Sequence, residues 1–248
     1  ISRMQDSEVV HIAYHFRPPF PVYDGFDTYN LADLSYDEKA AEIEKYHMYK
    51  LDLETGLYIE NVSGGYTLVK EYFGAPWTVG HTSGGSDFSQ ILADLYLRDG
   101  TTFTVAHGRD YDLGEMNKGL YFRPEHAEIK WYEELLGYAK GDATAESTIL
   151  EFLEPYTGGG HFVNIKMHEN NYYTVGTPFG PIYWVDGNKV DVLPPPYDLS
   201  LGETTDLRRD GYYDQMFEWY EEALLYVTGN PELYEVVSPK DVVGMLPE

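Results

Sequence analysis

Eight histidines and no cysteine make imidazole the natural starting point for any chemistry this chain performs near neutral pH. Two of the eight stand out by position. His107 ends the alternating run Thr101–His107 and shares a face with Phe103 and Val105. His161 opens the run His161–Met167 and shares a face with Val163, Ile165 and Met167. Both sit beside glycines, Gly108 in one case and Gly158-Gly159-Gly160 in the other. An imidazole at the rim of an apolar sheet face is partly desolvated, which lowers its pKa and suits it to general-base work. His107 and His161 are therefore the expected catalytic acid–base pair. The competing reading is a core histidine bonded to backbone. His11 and His15 share a strand face, but four strand residues span about 13 Å, too far to hold one cation.

Three further segments could serve such a pair. Gly80-His-Thr-Ser-Gly-Gly-Ser-Asp87 is the densest polar, flexible run. Its glycines admit a ligand to the backbone, and Ser86 should cap a helix whose N-terminus favours anions. His81, Ser83 and Asp87 are its expected ligand contacts. The run lacks the Gly-Lys-Ser/Thr ending of a phosphate loop and the Gly-x-Ser-x-Gly of a nucleophile elbow. Tyr111 and Tyr172, four residues beyond the strand-ending His107 and His168, are expected to supply hydrogen bonds, and Trp184 completes the ligand-binding set. Asp110, Asp112 and Glu115 gather three carboxylates in one loop, an expected but nonstandard Ca²⁺ site without the remaining ligands of an EF-hand. Glu44-x-x-His47 has di-iron spacing but no second motif of that kind on a helix. Pro194-Pro-Pro-Tyr197 matches a short proline-ligand pattern that a structural turn explains as well.

The element Gly160-His161-Phe162-Val163, with Trp184-Val185-Asp186 downstream, loosely resembles the histidine strand of papain-like folds. In a chain without cysteine that resemblance implies no thiol peptidase.

Composition narrows the classes. The 248 residues are 43% hydrophobic and 16% aromatic, too apolar for a disordered chain and long enough to bury a sizeable core. Net charge is −25, from 42 acids against 17 bases. Such a field repels phosphate backbones and anionic headgroups, so no nucleic acid and no membrane surface is expected as partner. No apolar run reaches the roughly 20 residues of a membrane helix. The 24 tyrosines suit half-buried surfaces, whether a binding groove or a subunit interface. Missing cysteine removes disulfides, thiol catalysis and thiolate metal sites. The first residues, Ile1-Ser-Arg-Met, favour a processed N-terminus and a secreted or extracellular setting.

Elements that would position these groups can be read locally. Alternation predicts a strand over residues 9–16, stopped by Pro18-Pro19. Ser35-Tyr-Asp-Glu38 is a capping box that should open a helix to about residue 48. Four turn signals predict hairpins: Ser63-Gly64-Gly65, Asp99-Gly100, Asn170-Asn171 and Asp186-Gly187-Asn188. Helices are expected over Glu125–Lys140, Thr144–Glu154 and Tyr212–Thr228, with short ones opening at Asn230-Pro231 and Ser238-Pro239. Trp131–Asp142 and Trp219–Asn230 agree at seven of twelve positions, 88 residues apart, which raises the prospect of a weak internal duplication of a helix–helix element. In each copy an aromatic stripe (Trp131, Leu135, Tyr138; Trp219, Ala223, Tyr226) should face a core.

The expected fold is one α+β domain over residues 1–248: a curved antiparallel sheet, barrel-like at the limit, with helices clustered on one side. The expected function is binding of a small molecule or glycan in a Tyr/His-lined pocket, extending to a cofactor-independent hydrolase or lyase using histidine acid–base chemistry. The alternative is a non-catalytic subunit of an extracellular or viral assembly, a homo-oligomer with tyrosine-rich interfaces.

Overall fold

The computed structural model describes residues 11–14, 31, 33–80, 82, 84–106, 110–131, 144–156, 159–167, 170–188, 191 and 193–247. Its helices and small sheets make an α+β molecule. Helix α1 (Tyr36–Met48) starts where the capping box requires, with Ser35 accepting from the Glu38 amide and Glu38 returning to the Ser35 amide at 2.9 Å. Strand β1 (Tyr49–Leu51) follows directly and pairs antiparallel with β2 (Tyr58–Ser63). Helix α2 (Gly65–Phe73) leads to β3 (Thr78–Val79), and α3 (Asp87–Arg98) to β4 (Phe103–Thr104). Ser86 caps α3, as its type and place predict.

Strands β5 (Met116–Asn117), β6 (Leu120–Phe122), β7 (Ala127–Lys130) and β8 (Val163–Lys166) flank helix α4 (Ala145–Leu153). Short helices α5 (Asn170–Tyr173) and α6 (Gly180–Tyr183) come next. After two 3-10 turns, Val185–Gly187 and Leu199–Thr204, the chain ends in α7 (Tyr212–Gly229) and α8 (Pro239–Met245).

The expectation of one curved antiparallel sheet is corrected. The described strands form three small sheets that close no barrel, and most pairings of the second and third are parallel. β3, β4 and β6 run parallel in that order, with β5 antiparallel at the edge, and β7 pairs parallel with β8. Tyr14 extends the first set, bridging Val79 in parallel through Tyr14 N to Thr78 O (3.0 Å) and Gly80 N to Tyr14 O (3.1 Å). Helix α3 is thus the crossover of a β–α–β unit, the connection that parallel neighbours need.

Several local readings change for physical reasons. Asp99-Gly100 closes α3, with Asp99 as its C-cap, instead of turning a hairpin. Gly64-Gly65 opens α2 instead of turning a hairpin. A Cβ on Gly64 would lie 2.3 Å from the Tyr49 carbonyl oxygen, so the glycine permits close backbone approach. Asn170-Asn171 starts the helical turn α5. Glu125–Lys130 is no helix start. Glu125 bridges Tyr111, and Ala127–Lys130 is β7, whose ladder with Val163–Lys166 overrides local helix propensity. The rest of that expected helix, from residue 132, lies outside the described residues.

Asn230-Pro231 gives only a turn, whereas Ser238-Pro239 opens α8 with a full capping box. Near Asp186-Gly187, both at positive φ, backbone bonds Val185 N to Asp191 O and Leu193 N to Tyr183 O (2.9 Å each) lay the two flanks side by side. The chain reverses there as expected, but the incoming flank is helical.

Two apolar clusters hold these pieces. The first joins α1, α2 and α3 through Ile43, Tyr66, Ile91, Leu92 and Tyr96, and reaches Leu120 on β6. In it His47 is 1% exposed, its ring 4.2 Å from Tyr66 and 5.1 Å from both Tyr14 and Tyr96. Asp99 lies at the edge of this cage and accepts from Lys70 (2.6 Å) and the Tyr66 hydroxyl (2.8 Å). The second cluster gathers Ile129, Trp131, Ile149, Tyr172, Met216, Trp219 and Ala223. The tryptophans that begin the two similar segments meet here, ring centroids 4.2 Å apart. The expected core stripe of the second copy holds: Trp219 and Ala223 are buried and Tyr226 packs beside them. No described helix is long and apolar enough to cross a membrane.

Candidate functional site

In an open parallel sheet, ligands gather where strands end, because side chains and loop amides converge there. Past the carboxyl end of β3 come Gly80, Thr82 and Gly84–Ser86, and past the end of β6 come Arg123, Glu125 and His126. Thr82 is fully buried and its hydroxyl bonds that of Thr104 at the end of β4. From the end of β5 and the turn after it, Asn117 Nδ2 and Lys118 Nζ donate to the Thr82 carbonyl at 3.2 and 2.9 Å, and Lys118 also reaches the Gly84 carbonyl. Burial lowers the pKa of Lys118. Thr82 and Gly84 are therefore tied to the β5–β6 hairpin. Replacing Lys118 with Met should lower the free energy of local loop opening by about 1–2 kcal/mol, enough to raise limited proteolysis within residues 80–86 roughly tenfold. Unchanged cleavage rates would mean the ammonium does not hold the loop.

Glu125 is 4% exposed. Its Oε2 accepts from Arg123 and from Asn164 Nδ2 on β8 at 2.9 Å, so a guanidinium and an amide compensate the buried carboxylate. Its backbone pairs with Tyr111 in both directions, at 2.9 and 3.0 Å. Tyr111 is largely buried and stacks on Phe122 at 3.9 Å.

His126 follows. Its Nδ1 accepts from the Phe162 amide at 2.9 Å, and its Nε2 lies 3.0 Å from Asp112 Oδ1. Both contacts suit a neutral ring carrying its proton on Nε2 and donating to the carboxylate. Asp112 is 82% exposed at its side chain, and its amide donates to Glu115 Oε1 at 2.7 Å. Against this fixed ring stands His161, exposed, with its centroid 5.0 Å from His126 and 5.5 Å from Tyr156, both edge-on. The result is a His126 ring engaged at both nitrogens and a second imidazole, His161, that meets solvent.

The expected residues distribute unevenly. His161, Asp112, Glu115 and Tyr111 come together around His126. His81, Ser83 and His107 lie outside the described residues. Asp87 is exposed at the start of α3 and pairs with Lys39 at 3.3 Å, on the α1 side. Tyr172 belongs to the second core instead: it is 1% exposed and its hydroxyl donates to the Trp131 carbonyl at 2.9 Å. Trp184 is buried between α6 and the first 3-10 turn. Asp110 is exposed. Among the described residues no set of three His, Cys, Asp or Glu side chains is gathered for a metal ion.

His126 and Glu125 were missed in the sequence because they fell at the start of an expected helix. The available signal was Ala-Glu-Ile-Lys after His126, whose alternation matches the Val-Asn-Ile-Lys of β8.

Comparison with protein-family models, curated proteins and solved structures gave no match.

Proposed function

We propose that the chain binds a small organic molecule or glycan at the edge formed by Tyr111, His126 and His161, and acts there as a cofactor-independent hydrolase or lyase. His161 is the acid–base group; Asp112 and the Phe162 amide hold His126, against which His161 rests. The observation that carries this reading is the exposed His161 ring set 5.0 Å from a ring bonded at both nitrogens. A rigid support fixes where a proton can be given or taken, while exposure leaves room for a substrate. Tyrosine rings and carboxylates around it suit a sugar, with apolar faces stacked and hydroxyls donating.

A panel of chromogenic esters and glycosides, with a glycan array for binding, tests the proposal. Replacing His161 with Gln should reduce turnover at least about 100-fold, the usual contribution of a general acid–base, and leave the Tm unchanged. His126→Gln should lower both, because the Phe162 amide loses its acceptor at a cost of about 1–3 kcal/mol. A His161→Gln protein as active as the parent would end this reading. Calcium at Asp110, Asp112 and Glu115 remains a subordinate proposal, tested by elemental analysis of protein purified without chelator.

A second reading, a structural subunit, draws on the outer face of α7. Tyr213, Phe217 and Leu224 are exposed at helical spacing, near Leu225 at 65% exposure. Light scattering after size exclusion separates the two: a monomer favours the catalytic edge, a large ring or polymer the assembly.

A further inference from the structure

The exposed tyrosines at the junction of α5 and α7 form a pair unlike the other tyrosine–tyrosine contacts among the described residues. Tyr173 and Tyr213 stack with centroids 4.5 Å apart and planes inclined by only 17°. Among the described residues, every other pair of tyrosines in ring contact is tilted or edge-on, with centroids 5.1 Å or more apart. Tyr173 is 51% and Tyr213 36% exposed, so both phenols are open to reagents in solution. The neighbours are poor competitors. Phe217, 6.0 Å from Tyr213, has no hydroxyl, and Tyr172, 6.2 Å away, is buried with its hydroxyl given to the Trp131 carbonyl.

We propose that Tyr173 and Tyr213 are a site of oxidative cross-linking, coupling to an intramolecular dityrosine when a peroxidase and hydrogen peroxide are supplied. Each phenol loses one electron and its hydroxyl proton, giving two phenoxyl radicals. The radicals join through the carbons ortho to oxygen, and the hydrogen on each of those carbons moves to the oxygen as the rings regain aromaticity. The two electrons and two protons reduce one peroxide to two waters, so the exchange balances. Stacking at 4.5 Å brings the ortho carbons near each other before any radical forms, so coupling within the pair outruns diffusion between molecules. Cross-linking ties α5 to α7 in a chain that has no cysteine for a disulfide. It would restrain the unfolded chain as any covalent loop closure does.

The test treats the full chain, dilute, with haem peroxidase and hydrogen peroxide. Dityrosine fluorescence is read first, and proteolytic peptides are then mapped by mass. Expected is a monomeric product in which the peptides carrying Tyr173 and Tyr213 are joined with the loss of two hydrogens, and whose Tm exceeds that of untreated protein. Tyr173→Phe and Tyr213→Phe, conservative changes at exposed positions, should each abolish that joined peptide and its emission. A map of the parent protein dominated by other tyrosines, cross-links only between chains, or no coupling at all would each overturn the proposal. Emission that persists in both variants would do the same.

Discussion

Replacing Trp131 with Ala should cost about 3–5 kcal/mol, the range for removing a fully buried large aromatic. Domains are commonly stable by only about 5–15 kcal/mol, so this variant is expected to be largely unfolded around β7 at moderate temperature. Trp131 is 0% exposed and lies 4.2 Å from Trp219. Its amide donates to Lys166 O on β8 at 2.6 Å, and its carbonyl accepts from Tyr172. The ring therefore anchors the parallel pair that presents His126 and His161. Trp131→Phe should recover much of the loss because it leaves a smaller cavity. Urea unfolding followed by far-UV circular dichroism measures both. A cost for the alanine variant below about 1 kcal/mol would show that this ring is no core anchor.

The second large effect concerns acid. Burial among Tyr14, Tyr66 and Tyr96 pushes the pKa of His47 down to about 3; Asp99 opposes that and Lys70 reinforces it, both more weakly. In the unfolded chain the same imidazole titrates near about 6.5. Between those values the unfolded state binds a proton that the folded state refuses. Stability therefore rises with pH across this window and falls as the pH drops through it, by about 1.4 kcal/mol per pH unit. From about pH 7.5 to about pH 5 the expected loss is about 2 kcal/mol. His47→Phe keeps a ring in the cage and cannot take up a proton, so its stability should be flatter by that amount. The measurement is a pair of urea curves at each pH for both proteins. Parallel pH dependences would exclude His47 as the source.

What could be read locally is what the chain decides locally. Ser35, Ser86, Thr144 and Ser238 each announce a helix through an oxygen that reaches an amide within the same turn, and all four helices form. The buried stripe of α7 could likewise be read from spacing alone. Strand pairing could not. β7 and β8 are separated by more than thirty residues, and nothing within Ala127–Lys130 names its partner. Glycine misled for a related reason: Gly64 marks a contact with Tyr49, fifteen positions earlier, which a turn rule cannot detect. Within the candidate site, His161 was singled out because an imidazole in an apolar alternation is conspicuous. His126 was not, because its meaning comes from Asp112 on one side and Phe162 on the other.

Residues 123–126, between the last residue of β6 and the first of β7, also connect the two apolar clusters along the chain: Leu120 sits in one and Ile129 in the other. Glu125, in that short span, is held across to β8 by Asn164. A guest seated against His126 and His161 would thus bind only while both clusters are intact, and mass action would stabilise them jointly. Melting in two steps when empty and in one when occupied would be the calorimetric signature of a binding edge placed on such a seam.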